Sequence, residues 1–300
     1  HPGKHQRTKQ CDRLAMGELR AASQVGQQVS QRYTDEDDGN DGDPNGNKTM
    51  DEITLNSEVE YSLPEENVLV LDMAQYSVNG EPWSNREEIL RIDSEVRTKL
   101  GLSLRKFKVV QPWVIKEVPE NNILKIRYTF ESKIECEDIY LALENSKKVQ
   151  ISFNGEEISN EVCGFYVDKY IDKIKLTKIR AGENVLELTL PFGLRTDIEN
   201  CFILGNFGVE CKGDYAYITK APHKLRFGSV VNQGFAFYGG NIEYNANIEI
   251  DSDAELEFEI SYYRGALIKV FVDVSIIALQ FSLESYTLLF SSTIILAKFG

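Results

Sequence analysis

An acidic segment near the start of the chain carries the residue types and the spacing that bind a calcium ion. In an EF-hand loop, alternate side-chain oxygens point at one centre, a glycine makes the sharp turn, and the last glutamate closes the site with both oxygens. The first, third, fifth, sixth and twelfth positions of such a loop are filled by Asp41, Asp43, Asn45, Gly46 and Glu52. The sequence therefore offers Ca²⁺ as a candidate cofactor, with Asp41, Asp43, Asn45 and Glu52 as ligands.

The same segment also fits an acidic linker that binds no metal. Lys48 stands at the eighth position, where an apolar residue normally pairs two such loops, and the sequence has no second loop of this kind. Residues 35–47 are nearly all Asp, Asn and Gly, and tracts of this composition match the loop pattern easily by chance. We therefore favour the linker and expect no calcium response.

Aromatic residues beside a glycine turn form the second candidate. Phe235, Phe237 and Tyr238 follow a polar, glycine-containing stretch and are themselves followed by two glycines. A pyranose ring presents flat C–H faces to aromatic rings, so this composition suits a shallow sugar site. Large aromatics are mostly core residues, however, and a cap on the end of a β-sandwich core is the alternative that we favour.

The same three aromatics allow a prediction about burial. If their segment is extended, neighbouring side chains alternate faces, so Phe235 and Phe237 share one face and Tyr238 takes the other. We expect both phenylalanines to be buried. Tyr238 should lie nearer the surface, with its hydroxyl hydrogen-bonded or hydrated.

Two carboxylates, Asp197 and Glu199, could lie on one face of a strand and act as an acid–base pair. The chain has 47 acidic residues, so ordinary solvated carboxylates are the interpretation we prefer. The three histidines do not suggest a nucleophilic triad. His1 and His5 lie in a polar segment, and His223 follows a proline in a predicted surface turn.

Composition excludes some classes of function. The chain has 300 residues, with 33 basic and 47 acidic side chains, which gives a formal net charge of −14. A nucleic-acid surface needs a basic stripe, so we expect no nucleic-acid partner, whereas neutral ligands or a cation suit this charge. The five cysteines form no C-x-x-C pair, so we expect reduced, partly buried thiols.

The chain divides into three segments that differ in composition and in hydrophobic pattern. Residues 1–60 are polar and acidic, and we expect a disordered segment in which residues 14–32 could form a short helix. Residues 61–105 contain strand patterns, a hairpin and a helix. Residues 106–300 carry many short strand patterns. The sequence therefore predicts a mainly β fold, a jelly-roll β-sandwich with one short helix before it.

Two local signals in the second segment are specific. Asn79-Gly80 is a turn dipeptide typical of hairpins. A helix is predicted to begin after Ser84 and to end at Gly101, with an apolar face that includes Ile89, Leu90, Ile92, Val96 and Leu100.

Neither end of the chain carries a visible export or membrane signal. Residues 1–39 contain no apolar core of a signal peptide, which leaves a bacterial cytoplasmic location and a secreted one both open. The tail 274–300 is apolar, but polar residues interrupt it, so it has no clean span of about 20 apolar residues. We expect edge strands of the sandwich or a diverged region there, and no membrane partner.

Short motifs follow one another along the chain in an order that resembles a known group of proteins. They are NVLVLDMAQY (67–76), Trp83, QPW (111–113), YTF (128–130), GFYVD (164–168), GENVLE (182–187), PFG (191–193), LG (204–205) and QGFAFYG (233–239). In this order they resemble the galactose-binding-domain-like β-sandwich in the C-terminal part of large bacterial glycoside hydrolases, of the family 2-like or α-L-rhamnosidase-like kind.

The resemblance implies a carbohydrate-binding or accessory sandwich that contacts neutral glycans through aromatic and polar loop residues. Together with the aromatic turn, it gives the candidate ligand-binding residues Trp113, Tyr166, Asp168, Gln233 and Tyr238.

The resemblance also implies a catalytic barrel that would precede residue 67 and is absent here. We therefore expect this chain to be non-catalytic and its partners to be a glycan and the catalytic domain of the same parent enzyme. A catalytic fragment that cleaves glycosides, and a purely structural domain that braces the barrel, are the alternatives.

Overall fold

The computed structural model describes residues 58–105, 119–213 and 215–246. It also describes the backbone of strand segments at 27–33, 50–54, 254–260, 268–272, 275–276, 289–291 and 295–299. The chain forms two compact units: unit 1 comprises residues 1–65 and 222–300, and unit 2 comprises residues 66–221. This division differs from the three consecutive segments that we expected, because strands far apart in sequence pair with one another.

The strands are numbered in chain order. The first eleven are β1 (Gln27–Tyr33), β2 (Met50–Thr54), β3 (Glu60–Ser62), β4 (Asn67–Leu71), β5 (Met73–Val78), β6 (Glu87–Glu88), β7 (Asn122–Ser132), β8 (Tyr140–Glu144), β9 (Gln150–Phe153), β10 (Glu156–Ile158) and β11 (Val162–Tyr166). The others are β12 (Asp168–Lys175), β13 (Gly182–Phe192), β14 (Cys201–Gly205), β15 (Gly208–Lys212), β16 (Tyr215–Thr219), β17 (Ile242–Ala246), β18 (Ala254–Ile260), β19 (Ile268–Val272), β20 (Ser275–Ile276), β21 (Leu289–Ser291) and β22 (Ile295–Phe299).

Unit 2 is a β-sandwich of two sheets. The larger sheet has the order β10-β9-β13-β7-β16-β15, with β5 paired to β7 and β6 paired to β5, and the smaller has the order β11-β12-β8-β14-β4. Its described pairings are antiparallel except β16–β7, which is parallel. Buried residues alternate along the central strands β7 and β13, so one face of each packs in the core. The mainly β fold class is confirmed, whereas the jelly-roll assignment stays a prediction.

Two hairpins of unit 2 follow from their turn residues. Asn79 and Gly80 have φ of 51° and 82°, and Asn154 and Gly155 have φ of 52° and 84°. Both central residues of a type I′ turn need positive φ, which Asn and Gly adopt at little cost. The predicted hairpin at Asn79-Gly80 is confirmed.

Unit 1 holds two sheets, with the orders β2-β1-β18-β21 and β20-β19-β22-β17-β3. Strands β1 and β2 lie within residues 1–60, where we expected disorder, and β1 overlaps the end of the predicted helix over 14–32. Because β1 pairs on one side with β2 and on the other with β18, its conformation depends on a distant partner that local pattern does not reveal. In the tail, where we expected edge strands of the sandwich or a diverged region, β20 and β21 lie at the edges of the two unit 1 sheets, and β22 lies between β17 and β19.

One α-helix, α1 (Ile89–Lys99), is described in unit 2, together with a single 3₁₀ turn at Ser146–Lys148. It begins later than predicted, because its N-cap is Glu88, whose carboxylate accepts hydrogen bonds from the backbone of Leu90 and Arg91. Gly101 follows the helix with a φ of 67°, as predicted for a helix end. Of the predicted apolar face, Ile89, Ile92 and Val96 are buried, but Leu90 is exposed. Within the described part of the chain, no helix has the length and apolarity to cross a membrane.

A buried arginine ties α1 to the loop after β13. The Nε of Arg97 donates to Asp93 Oδ2 at 2.8 Å, and its two terminal nitrogens donate to the carbonyls of Leu194 (2.9 Å) and Thr196 (2.6 Å). The guanidinium also lies 5.5 Å from the ring centre of Phe192. A fixed planar fork can reach all three oxygens at once, which a lysine ammonium cannot.

We predict that Arg97→Ala destabilises the protein by about 3–5 kcal/mol, because the buried Asp93 carboxylate loses its shorter ion pair and keeps only the 3.5 Å contact with Arg105. The carbonyls of Leu194 and Thr196 also lose their donors. Arg91→Ala is the matched control. Arg91 lies on the same helix but is exposed, so its loss should change the free energy of unfolding by less than about 0.5 kcal/mol. Chemical unfolding of both variants checks this, and equal effects would contradict it.

Candidate functional site

The β11–β12 hairpin is the most exposed apolar feature of the described residues. Strand β11 forms the edge of the smaller sheet of unit 2. Eight large hydrophobic side chains are exposed among the described residues, and four lie on this hairpin, namely Val162, Phe165, Val167 and Tyr170. Phe165 is 57% exposed and Tyr170 83% exposed. Since exposed apolar side chains are normally scattered singly, their concentration on one hairpin indicates a contact surface.

The tip of this hairpin is conformationally unusual. Val167 has a φ of 60° and is 80% exposed, although β-branched residues rarely adopt positive φ. The register between the strands shifts between Phe165 and Tyr166, and the Asp168 carboxylate accepts a hydrogen bond from the Tyr170 backbone at 2.9 Å. Strain of this kind persists only where surrounding contacts enforce it, and it clusters at functional sites.

Tyr166 anchors the hairpin to the sheet. Its ring is half-buried, and its centre lies 5.2 Å from that of Phe202 on β14. Burial raises the pKa of the Tyr166 phenol. In the same sheet, the Lys173 ammonium on β12 lies 4.0 Å from the ring centre of Tyr140 on β8 and pairs with Glu66. Of the predicted ligand-binding residues, the structure therefore brings Tyr166 and Asp168 together at the hairpin tip, with the Tyr166 ring packed and the Asp168 side chain exposed.

Phe165 and Tyr170, the exposed aromatic residues of this hairpin, were not among the ligand-binding residues predicted from the sequence. Both occur in strands whose local pattern does not reveal which face is covered. Phe165 lies on the edge strand β11, whereas Tyr170 lies on β12 just before the residues that pair with β8. The exposure of both therefore depends on strand pairing, which the local sequence does not show.

The aromatic turn of unit 1 differs from its prediction. Phe235 is buried against Tyr61 and Tyr238, with ring-centre distances of 5.6 and 5.9 Å, but Phe237 is only half-buried. The prediction of a buried Phe237 is wrong. The segment is a turn, because the Tyr238 backbone donates to the Phe235 carbonyl at 3.3 Å, so the alternation expected of an extended strand does not apply.

Tyr238 is half-buried, and its hydroxyl is hydrogen-bonded as expected. The oxygen lies 2.9 Å from Glu65 Oε2 and 2.7 Å from the Asn241 carbonyl. Glu65 also accepts from the backbone and the side-chain amide of Asn241, at 2.9 and 2.8 Å. Desolvation works to raise the pKa of Glu65, but these hydrogen bonds to its charged form outweigh it and lower the pKa overall.

Gln233, the other predicted residue in unit 1, braces a loop. Its Oε1 accepts from the Arg226 backbone at 2.8 Å, and its Nε2 lies 3.0 Å from the carbonyls of both Arg226 and Ser229. Trp113 and the loop residues Asp41, Asp43 and Asn45 lie outside the described residues, and of Glu52 only the backbone in β2 is described. The described residues contain no cluster of three or more metal-ligating side chains.

The candidate acid–base pair is held by one arginine. Arg105 pairs with Asp197, with Glu199 at 2.9 Å and with Asp93 at 3.5 Å. A general acid has to offer a proton to its substrate, whereas both of these carboxylates are engaged by guanidinium N–H groups. Their position is accounted for by this ion-pair network. His223 is exposed, as predicted.

No family model and no curated protein matches this chain. Two solved structures of a GH2 β-galacturonidase from Eisenbergiella tayi, bound to glycerol and to galacturonate, each give a TM-score of 0.25 at 10% identity. The matches cover 81% and 77% of this chain. They cover 37% and 36% of the two galacturonidase chains, so this chain spans less than two fifths of their length. An anti-sigma factor domain-containing protein from Clostridium clariflavum gives a TM-score of 0.20 at 11% identity, covering 76% of this chain and 89% of its own. At these scores neither fold nor function is inferred from the likeness.

The Glu65 hydrogen bonds predict a pH dependence of stability. A carboxyl whose pKa is lowered by folding stabilises the protein above its unfolded pKa, near 4.5, and this contribution is lost as the pH falls through the lower folded value. Glu65→Gln should therefore lower the melting temperature at pH 7, and the difference from the wild type should shrink below pH 4.5. Thermal melts across pH 3–7 test this, and a difference independent of pH would contradict it.

Cysteine reactivity should follow exposure. Cys201 is a buried thiol whose pKa is raised by burial to about 12, whereas the Cys163 thiol on β11 is exposed. Because the thiolate is the reactive form, we expect iodoacetamide to modify Cys163 in the native protein and Cys201 only on unfolding. Peptide mapping by mass spectrometry measures this, and native modification of Cys201 would contradict the packing described for unit 2.

Proposed function

We propose that this chain is a carbohydrate-binding accessory module and that the β11–β12 hairpin is its glycan-contacting surface. The observation that carries the proposal is the exposure of two aromatic rings, Phe165 and Tyr170, on one hairpin beside the Asp168 carboxylate. A sugar offers C–H faces that pack on aromatic rings and hydroxyls that donate to a carboxylate. The hairpin supplies both kinds of contact.

The hairpin is also suited to hold these groups in place. Tyr166 is packed against Phe202, and the Asp168 carboxylate fixes the backbone of Tyr170. A surface that is ordered before binding loses less entropy when the ligand arrives. The net charge of −14 favours neutral glycans over polyanionic ones, because like charges oppose association.

The ordered motifs support the finer proposal that the module belongs to a glycoside hydrolase and adjoins its catalytic domain. Within this proposal, Trp113, Gln233 and Tyr238 stay predicted contact residues in addition to the hairpin. The polar groups of Gln233 and Tyr238 already take part in hydrogen bonds within unit 1, so we expect the hairpin residues to contribute more to binding.

The proposal predicts that Phe165→Ala and Tyr170→Ala each weaken binding to a neutral polysaccharide by about 1–2 kcal/mol, the scale for an aromatic contact residue. Because both rings are exposed, the melting temperature should change little. Tyr215→Ala is the matched control, since Tyr215 is an aromatic of unit 2 that is 65% exposed but lies on β16. Affinity electrophoresis on a panel of neutral glycans measures the effect.

Cys163 provides a second readout on the same hairpin. Its sulfur lies on β11, 3.2 Å from the Lys173 carbonyl of β12. A bound glycan should slow alkylation of Cys163 and leave alkylation of the exposed Cys211 on β15 unchanged. Two results would contradict the proposal that the hairpin binds glycans. One is that no glycan of the panel retards the protein, and the other is that Tyr215→Ala weakens binding as much as Tyr170→Ala.

The calcium loop can be tested separately. Calorimetric titration of Ca²⁺ into the full chain should give no heat of binding if residues 41–52 are a linker. A heat that disappears in Glu52→Gln would instead identify a working loop, since this change removes the closing carboxylate.

A further inference from the structure

A pocket of about 380 Å³ opens in unit 2 apart from the β11–β12 hairpin. Its volume falls within the range of about 300–1,000 Å³ that small-ligand sites occupy. One part of its lining is apolar and buried, and it comes from both sheets of the sandwich. These residues are Ile126, Tyr128, Leu143, Leu188 and Leu190.

The charged part of the lining has an excess of acids. Four carboxylates, Glu120, Glu144, Asp197 and Glu199, face two cationic side chains, Lys148 and Arg195. Most of the acids have a partner already. Lys148 lies 3.0 Å from Glu120, and Arg105 holds both Asp197 and Glu199. Glu144 is exposed, and its carboxylate has no hydrogen-bond or ion-pair partner within residues 58–105, 119–213 and 215–246.

The pocket holds a second acceptor besides Glu144. Asn200 lines the same pocket, and its Oδ1 is buried without a hydrogen-bond partner among the described residues. Asn200 immediately precedes β14, and Glu144 is the last residue of β8, the strand that pairs with β14. A buried acceptor without a donor is unfavourable unless a ligand or a water supplies one.

We propose that this pocket binds a small amphipathic primary amine. The apolar body of the ligand packs against the Leu188 and Leu190 side of the lining, and its ammonium donates to the Glu144 carboxylate and to Asn200 Oδ1. An ammonium carries three donors and a positive charge, which match two acceptors in an acidic lining. With Arg105 counted beside Lys148 and Arg195, four carboxylates exceed three cations, so an anionic ligand of the same shape is disfavoured.

Three probes with one apolar body and different head groups test the charge preference on the full chain: 2-phenylethylamine, 2-phenylethanol and 3-phenylpropionate. We expect the amine to bind tightest and the carboxylate weakest, as measured by NMR titration. Glu144→Gln should weaken amine binding about tenfold and leave alcohol binding unchanged, because it removes a charge-assisted hydrogen bond. Glu157→Gln, an exposed acid on β10 outside the pocket, is the control and should leave all three unchanged.

Asn200→Ala separates a binding role from a structural one. If Oδ1 is kept for a ligand, the variant should lose amine affinity while its melting temperature stays constant or rises, since a costly buried acceptor is gone. A lower melting temperature with unchanged amine affinity would overturn the proposal. Equal binding of the three probes, or binding of none, would also overturn it. Neither outcome bears on the glycan surface, because Phe165 and Tyr170 are not part of this pocket.

Discussion

The buried guanidinium of Arg97 is the interaction on which the described part of unit 2 most depends. Removing a charge from water is costly, and the cost is met only because its N–H groups reach the Asp93 carboxylate and the carbonyls of Leu194 and Thr196. The loop that these bonds fix continues into the residues that Arg105 holds. Arg97 and Arg105 therefore position the loop after β13, which forms one wall of the pocket in unit 2.

The edge of the smaller sheet imposes a second constraint. Edge strands leave backbone groups unpaired and invite association with other chains. Strand β11 nevertheless carries apolar residues outward, and the hairpin tip accepts a strained Val167. Packing of Tyr166 on Phe202 holds the hairpin to the sheet while Phe165 and Tyr170 stay exposed. This combination of a fixed base and exposed rings is what a surface for a flat ligand requires.

Local chemistry in the sequence predicted the features that depend on one or two residues. Asn79-Gly80 and Gly101 adopt positive φ, and Ile92 and Val96 are buried on α1 as their spacing indicates. Features that depend on distant partners were not predictable in this way. The helix start at Glu88 depends on a carboxylate that folds back on the backbone, and the strand β1 exists because β2 and β18 flank it.

The candidate site follows the same division. Tyr166 and Asp168 were predicted from a short motif and stay predicted site residues, whereas the exposure of Tyr170 depends on how β12 pairs with its neighbours. Phe237 was misplaced because its segment turns instead of extending. Alternation of side chains is a property of strands, so it fails wherever the backbone forms a turn.

The most direct test of the account is a chemical-shift map of the isotope-labelled chain titrated with the neutral oligosaccharide that it retains most strongly. We predict that the largest shifts occur at the Phe165, Asp168 and Tyr170 amides and saturate together with one dissociation constant. Shifts confined to residues outside 162–172, with the hairpin amides unmoved at saturation, would contradict the claim that the β11–β12 hairpin is the glycan-contacting surface.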